Sequence, residues 1–168
     1  MRVLNGFLAV IGLVALSACD NPDRFGSGSA GLGNGSGLGT GSIDDPTSQA
    51  YFQQIVGDRV LFEVDQSTLT SDARGLLSAQ AQWLVNNPGF AILIEGHADE
   101  RGTTEYNIAL GARRAAAVQE YLFSQGIALT RMQTVSYGKE RPIEICSDEI
   151  CYAQNRRAVT VLQLGAGV

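Results

Sequence analysis

The folded half of the chain carries two hydrophobic periods. Taken at steps of three and four, Ala73, Leu76, Leu77, Ala81 and Leu84 form one stripe. Asn107, Leu110, Arg114, Val118 and Tyr121 or Leu122 form another. Both stripes predict amphipathic helices packed on a core. Thr70 or Ser71 can cap the first helix, Asp72 suits its first turn, and Asn87-Pro88-Gly89 ends it. The second helix closes near Gly126. Runs rich in β-branched and aromatic residues at 60–64, 91–95, 132–137 and 158–164 predict strands, and the unbroken apolar character of 91–95 suggests a central one. Residues 51–56 fit either a short strand or a single helical turn. Residues 138–157 are too polar for core and long enough to hold a short helix. Strand, helix, strand, helix, strand predicts parallel crossovers with the helices on one face of the sheet. The expected fold class is α/β, a two-layer sandwich of two long helices on a mixed sheet of about four strands.

One position in the second stripe breaks the pattern, because Arg114 lies in the middle of an apolar face. A buried guanidinium without partners is expensive, so an acidic partner is expected. Helical side chains lean toward the helix N-terminus, which aims Arg114 at the turn carrying Asp99 and Glu100. Two readings are open here. One is a structural Arg-Asp pair pinning that turn to the helix. The other is a split site for a zwitterion, with Asp99 taking an ammonium and Arg114 a carboxylate in bidentate fashion.

Upstream of the folded part the pattern changes twice. Residues 1–18 have a short charged start at Arg2, an apolar run from Phe7 to Leu16 and small residues at Ser17 and Ala18. The run is too short to span a bilayer, so it reads as a signal peptide. Leu16-Ser17-Ala18-Cys19 matches a bacterial lipobox, which makes Cys19 the expected lipidated first residue of a membrane-attached mature chain. Residues 19–48 are glycine- and serine-rich with no hydrophobic period and read as a flexible tether, with a root-mean-square reach of roughly 25 to 30 Å for about 25 residues. Gly26, Gly28 and Gly31 match a dinucleotide-loop spacing, but neither a predicted strand nor a predicted helix flanks them. Residues 49–168 form the expected domain.

Charge and cysteine count narrow the chemistry. In 168 residues, 12 basic and 17 acidic side chains give a net charge of -5. Removal of residues 1–18 takes away Arg2 alone, leaving 11 minus 17, or -6. That balance argues against nucleic acid as a partner. One histidine and three cysteines make a metal site or a cofactor unexpected. A signal peptide would put Cys146 and Cys151 outside the cytoplasm, where a disulfide can persist. Five positions apart on a regular helix they could not meet, so a bridge predicts a break within residues 147–150. It is expected to staple the fold without building a binding site.

The lipobox, the tether, the Glu95-Gly96-His97-Ala98-Asp99-Glu100-Arg101-Gly102 turn, Asn107-x-x-Leu110-Gly111-x-Arg113-Arg114-Ala115, Val135-Ser136-Tyr137-Gly138 and Asn155-Arg156-Arg157-Ala158-Val159 together resemble the peptidoglycan-associated lipoproteins of the Tol-Pal system. The carboxyl domain resembles that of outer membrane protein A. The resemblance covers about residues 57–164. It implies non-covalent binding of the diaminopimelate side chain of peptidoglycan, with Asp99 and Arg114 as the principal pair. It also implies that Arg101, Thr103, Asn107 and Leu110 line the pocket, with Asp65 a further lining residue. His97 is expected to be structural, and Arg156 and Arg157 to order the turn before the last strand. The implied partners are peptidoglycan, the Tol-system proteins TolB and, secondarily, TolA, and the outer membrane through Cys19, with the domain facing the periplasm. Asp20, directly after the lipidation site, is the feature that opposes outer-membrane sorting. The Cys146 and Cys151 pair departs from the best-known members.

Two other functions are open on the residues. A wall hydrolase would need two carboxylates facing across a cleft, which Glu95, Asp99 and Glu100 on one turn do not naturally supply. No nucleophile elbow, phosphate loop or zinc-protease motif occurs in the sequence. The chain is therefore expected to be no enzyme. A protein-docking module without wall binding is the other alternative.

Overall fold

The computed structural model describes residues 41–164. The expected signal peptide, Cys19 and most of the tether lie outside the described residues. In chain order the elements are α1 (Gln49–Tyr51) continuing as one π-helical stretch (Phe52–Gly57), β1 (Arg59–Leu61), α2 (Ser71–Asn86), β2 (Phe90–His97), α3 (Thr104–Ser124), a 3-10 turn (Leu129–Arg131), β3 (Met132–Gly138), α4 (Glu149–Asn155) and β4 (Arg157–Leu164). The ambiguous segment 51–56 is thus helical. Ser48 caps it, and Phe52 is fully buried against Trp83, their rings 4.8 Å apart. Trp83 in turn donates its indole N–H to the carbonyl of Pro46, so residues just upstream of α1 already pack on the domain.

The sheet runs β1-β4-β2-β3. β2 and β3 pair in parallel across α3, and β4 pairs antiparallel with both β1 and β2. β1 and β2 are therefore parallel in direction, though β4 lies between them. The core joins Phe52, Leu77, Leu84, Ile92, Ile94, Val118, Leu122 and Ile127. Thr70 caps α2, and Gly126, at φ 96°, ends α3 while the Ile127 N–H bonds back to the Leu122 carbonyl. Where α3 crosses β2 the backbones touch, since a Cβ at Gly96 would collide with the Gly111 carbonyl. That approach sets the N-terminal half of α3 over the end of β2.

Two strand boundaries depart from expectation, and both departures lie at the site. β1 stops at Leu61, short of the expected Val64, because arginines capture the next carbonyls: Arg156 Nε bonds that of Phe62 and Arg114 Nη2 that of Glu63. β2 runs on to His97, and its register with β3 shifts between Gly96 and His97. Such an irregularity re-aims the residues that follow it, here Ala98 and Asp99. The expected turn is correspondingly shorter.

Candidate ligand site

Arg114 is the largest fully buried side chain among the described residues, at 0% exposure. The sequence predicted its burial and an acidic partner, and the second expectation is corrected. Among the described residues no carboxylate touches Arg114. Its Nε donates to the Gln66 carbonyl at 2.8 Å, Nη1 to the His97 carbonyl at 2.7 Å and Nη2 to the Glu63 carbonyl at 3.2 Å. Backbone oxygens can solvate a buried cation without neutralising it, a route that residue types alone do not reveal. The guanidinium also lies 5.2 Å from the centre of the Phe62 ring. Burial, and next the charge of Arg156, lower its pKa to about 10, against the pull of Asp99 and Asp65. Arg114 therefore stays charged at neutral pH. Of five guanidinium N–H groups three are engaged, leaving one on each terminal nitrogen.

These bonds clamp three segments together: α3, the end of β2 and the loop after β1. Asp65 lies in that loop, between the two clamped carbonyls, and adopts φ 57°, a left-handed conformation that a non-glycine residue holds only when its surroundings impose it. Its carboxylate accepts a short hydrogen bond from the Tyr106 hydroxyl, which raises the phenol pKa.

Asp99 is held in the opposite manner. Oδ1 accepts from the Arg101 backbone N–H at 3.1 Å and from Arg101 Nε at 3.3 Å, and Oδ2 from Arg101 Nη2 at 2.7 Å and Arg156 Nη1 at 3.3 Å. Burial works against the charge of this carboxylate, but the Arg101 and Arg156 bonds outweigh it and hold the pKa below the usual range. Arg156 was expected only to order a turn. It is in fact buried, and joins Asp99 to Glu149 of α4 at 2.6 Å. Strand alternation could not have singled it out, since Arg156 precedes β4 and its neighbour Arg157 is buried as well.

Val64, Asp65, Asp99, Arg101, Gly102, Tyr106, Asn107, Leu110 and Arg114 line one cavity of about 390 Å³. It gathers every expected pocket residue except Thr103, whose hydroxyl instead caps α3 by accepting from the Tyr106 N–H. Asn107 supports the rim from below, donating to the Arg101 carbonyl at 2.7 Å. A wider cleft of about 830 Å³ lies between β1 and the ends of α2 and α4, but its arginines are turned away, Arg59 to Asp58 and Arg156 to Asp99 and Glu149. The wider cleft also carries Glu63 and Asp72, but the smaller cavity is the one that has Asp99 and Arg114 together in its wall.

The Cys146–Cys151 disulfide is present, with Cα atoms 5.8 Å apart. The expected break falls at Asp148, which caps α4 by accepting from the Ile150 and Cys151 N–H groups. The stapled loop reaches the site's edge. Ser147 and Tyr152 both donate to Glu100, the Tyr152 ring lies 4.7 Å from the Arg101 guanidinium, and Glu149 lies 3.7 Å from Arg101 Nη2. His97 is buried, as a structural residue would be. Desolvation, then the nearby Arg157 and Arg141 charges, lower its pKa to about 4.

Residues 61–156 match the model of the OmpA family. The chain is 51% identical over 160 residues to a peptidoglycan-associated lipoprotein of Rhizobium meliloti strain 1021, covering 95% of this chain and 88% of that protein. With the peptidoglycan-associated lipoprotein of Pseudomonas aeruginosa it shares 46% identity over 128 residues, 76% of this chain and 73% of the relative. Among solved structures, the peptidoglycan-associated lipoprotein of Burkholderia pseudomallei superposes with a TM-score of 0.64 at 41% identity, covering 72% of this chain and 98% of that one. The C-terminal domain of Helicobacter pylori MotB shares the fold, with a TM-score of 0.60 at 21% identity over 65% of this chain and 86% of that one. By family match, identity and fold, this chain belongs to the OmpA family and within it to the peptidoglycan-associated lipoproteins.

Proposed function

We propose that the protein is a non-catalytic, lipid-anchored envelope protein that grips the diaminopimelate side chain of peptidoglycan in the cavity between Asp99 and Arg114. One observation carries this reading: a fixed carboxylate and a fixed guanidinium line the same cavity of about 390 Å³. An amine and a carboxylate on one carbon are recognised best by groups of opposite sign, and either charge alone is promiscuous. The free N–H on each terminal nitrogen of Arg114 suits a carboxylate taken end-on. Because Arg114 has no exposed surface, the rim must part to admit a ligand, and the mutually bonded Asp65 and Tyr106 form part of that rim. Relatives named as peptidoglycan-associated lipoproteins support the same ligand class.

In this proposal Cys19 carries the lipid, the stretch from residue 20 up to the segment near Pro46 that packs on the domain acts as a leash, and the domain faces the periplasm from the outer membrane in the Tol-Pal system, with TolB and TolA as candidate partners. Incubation of the mature protein with purified sacculi tests the central claim. A binder sediments with the wall, a hydrolase releases soluble fragments, and a pure docking module does neither. Loss of sedimentation in Asp99→Ala and Arg114→Ala variants that remain folded is the expected result, with about 2 to 5 kcal/mol of binding lost in each. Mass spectrometry of the membrane fraction tests the anchor, and a mature chain with unmodified Cys19 would refute it.

A further inference from the structure

Asp99 has a difficulty as an ammonium acceptor: in the unliganded chain its oxygens are already taken by Arg101 and Arg156. A ligand amine must displace one of them. Arg156 is buried, with its side chain 5% exposed and its Nε tied to the Phe62 carbonyl, so it is fixed. Arg101 is 45% exposed, and among the described residues its side chain hydrogen-bonds to Asp99 alone. Glu149 stands 3.7 Å from Arg101 Nη2, beyond hydrogen-bonding distance, and is itself 59% exposed. The Tyr152 ring, one turn along α4, already lies 4.7 Å from the same guanidinium. We propose that Arg101 is a movable occupant of Asp99 and that Glu149, presented by the disulfide-stapled α4, receives it when a ligand ammonium takes its place. This rests on the ligand reading above and adds the residues that make it selective.

Charge balance supports the exchange. The cavity is lined by Asp65, Asp99, Arg101 and Arg114, two charges of each sign. Ion pairs extend this set by one cation, Arg156, and one anion, Glu149. With Glu149 the six groups sum to zero; without it the site is a net cation that repels an incoming ammonium. Glu149 never touches the ligand here. It is a positioning residue that acts through Arg101.

That route predicts coupling. In the full-length mature protein, Glu149→Gln is expected to weaken binding of a diaminopimelate-bearing muropeptide by roughly three- to tenfold, while Glu149→Asp restores most of it. In an Arg101→Gln background, where nothing needs a new partner, Glu149→Gln should change affinity less than about twofold. A muropeptide whose diaminopimelate amine is acetylated cannot displace Arg101, so its affinity should be insensitive to Glu149→Gln. Equal effects of Glu149→Gln in both Arg101 backgrounds, or on both muropeptides, would show a merely structural role and overturn the exchange. So would an unchanged affinity in Glu149→Gln. Wild-type protein that binds neither muropeptide nor sacculi would instead refute the ligand reading itself, and that failure is recognisable because it precedes any substitution.

Discussion

Arg114 and Asp99 stand on the walls of one cavity and are held by opposite means. Three neutral carbonyls hold the arginine, whereas two guanidinium groups hold the aspartate. The carbonyl dipoles solvate Arg114 without a carboxylate in contact, so in the proposed binding mode a ligand carboxylate would meet a cation that no side chain has paired. At the other end the charge of Asp99 is already shared with Arg101 and Arg156, and in the proposed binding mode a ligand ammonium would have to compete for it. The difference shows that a buried charge needs hydrogen bonds more than it needs a counter-ion. It also predicts that the two ends fail differently when broken.

The largest effect is expected at the arginine end. Arg114→Ala removes three charge-assisted bonds, so the carbonyls of Gln66 and His97 lose their arginine donor and that of Glu63 keeps only the Gln66 N–H. A loss of about 3 to 5 kcal/mol of folding stability follows, with release of the loop that holds Asp65. Arg114→Lys sharpens the comparison, because a compact ammonium can satisfy some carbonyls but cannot present a bidentate fork. It should recover part of the melting temperature and little of the wall binding. Recovery of both in parallel would mean that Arg114 is only a clamp.

His97 gives the next largest effect, and its sign can be worked out. Its pKa is about 4 in the folded protein against an ordinary 6.5. Between those values the unfolded chain holds the proton and the folded chain does not, so stability is fully present above 6.5 and is lost as pH falls toward 4. The contribution at neutral pH is roughly 2 to 3 kcal/mol. Thermal unfolding across that range should slope downward on acidification, and His97→Asn should flatten the slope. The protonated ring would face Arg157 and Arg141, whose charges already oppose it.

At the aspartate end, Asp99→Asn leaves Arg101 and Arg156 facing a neutral amide. Arg101 is at the surface and can rehydrate, and Arg156 keeps Glu149, so a stability loss of about 2 kcal/mol is expected, less than for Arg114→Ala. The folded carboxyl titrates below its ordinary range, so its contribution is present above that range and disappears as pH falls through the folded value. Denaturation measured at a pH below the folded carboxyl's own titration should therefore distinguish Asp99→Asn from wild type least, and at neutral pH most. A larger stability loss than in Arg114→Ala would invert the comparison.

Much of this was legible in the sequence. The two helical stripes, the Thr70 cap, the Gly126 stop and the central strand follow from local periodicity and turn chemistry, and the structure has them. Asp65, Asp99, Arg101, Asn107, Leu110 and Arg114 do line one cavity. What escaped was partner identity. An arginine in an apolar stripe shows that it must be satisfied, but the sequence cannot show whether a carboxylate or a set of carbonyls does so, because every residue carries a carbonyl. The same blindness lengthened β1 in prediction: Phe62, Glu63 and Val64 have strand propensity, and only the three-dimensional approach of Arg156 and Arg114 takes the carbonyls of Phe62 and Glu63 from the ladder. Glu149 was missed because it meets the site only through Arg101 and Arg156, distant in sequence from one another.

The smallest effect is expected from the disulfide, and it tests whether the aspartate end depends on α4. Cys146 and Cys151 close a short loop, so chain entropy limits their contribution to about 1 to 2 kcal/mol, or roughly 4 to 8 °C in melting temperature for a domain of this size. The Asp148 cap survives reduction in principle, since it uses backbone N–H groups of Ile150 and Cys151 and not the sulfur atoms. Helix α4 should therefore loosen without melting. A loosened α4 presents Glu149 less firmly to Arg101 and Arg156, so muropeptide affinity should fall by less than in Glu149→Gln, and in Glu149→Gln itself reduction should have no further effect on affinity. Melting curves and binding isotherms on oxidised and reduced protein, and on Cys146→Ser/Cys151→Ser, measure both quantities. If reduction lowers the melting temperature and leaves affinity untouched, the loop is a staple and nothing more. If affinity falls further in the Glu149→Gln background than in wild type, α4 reaches the site by a route other than the one assigned to Glu149.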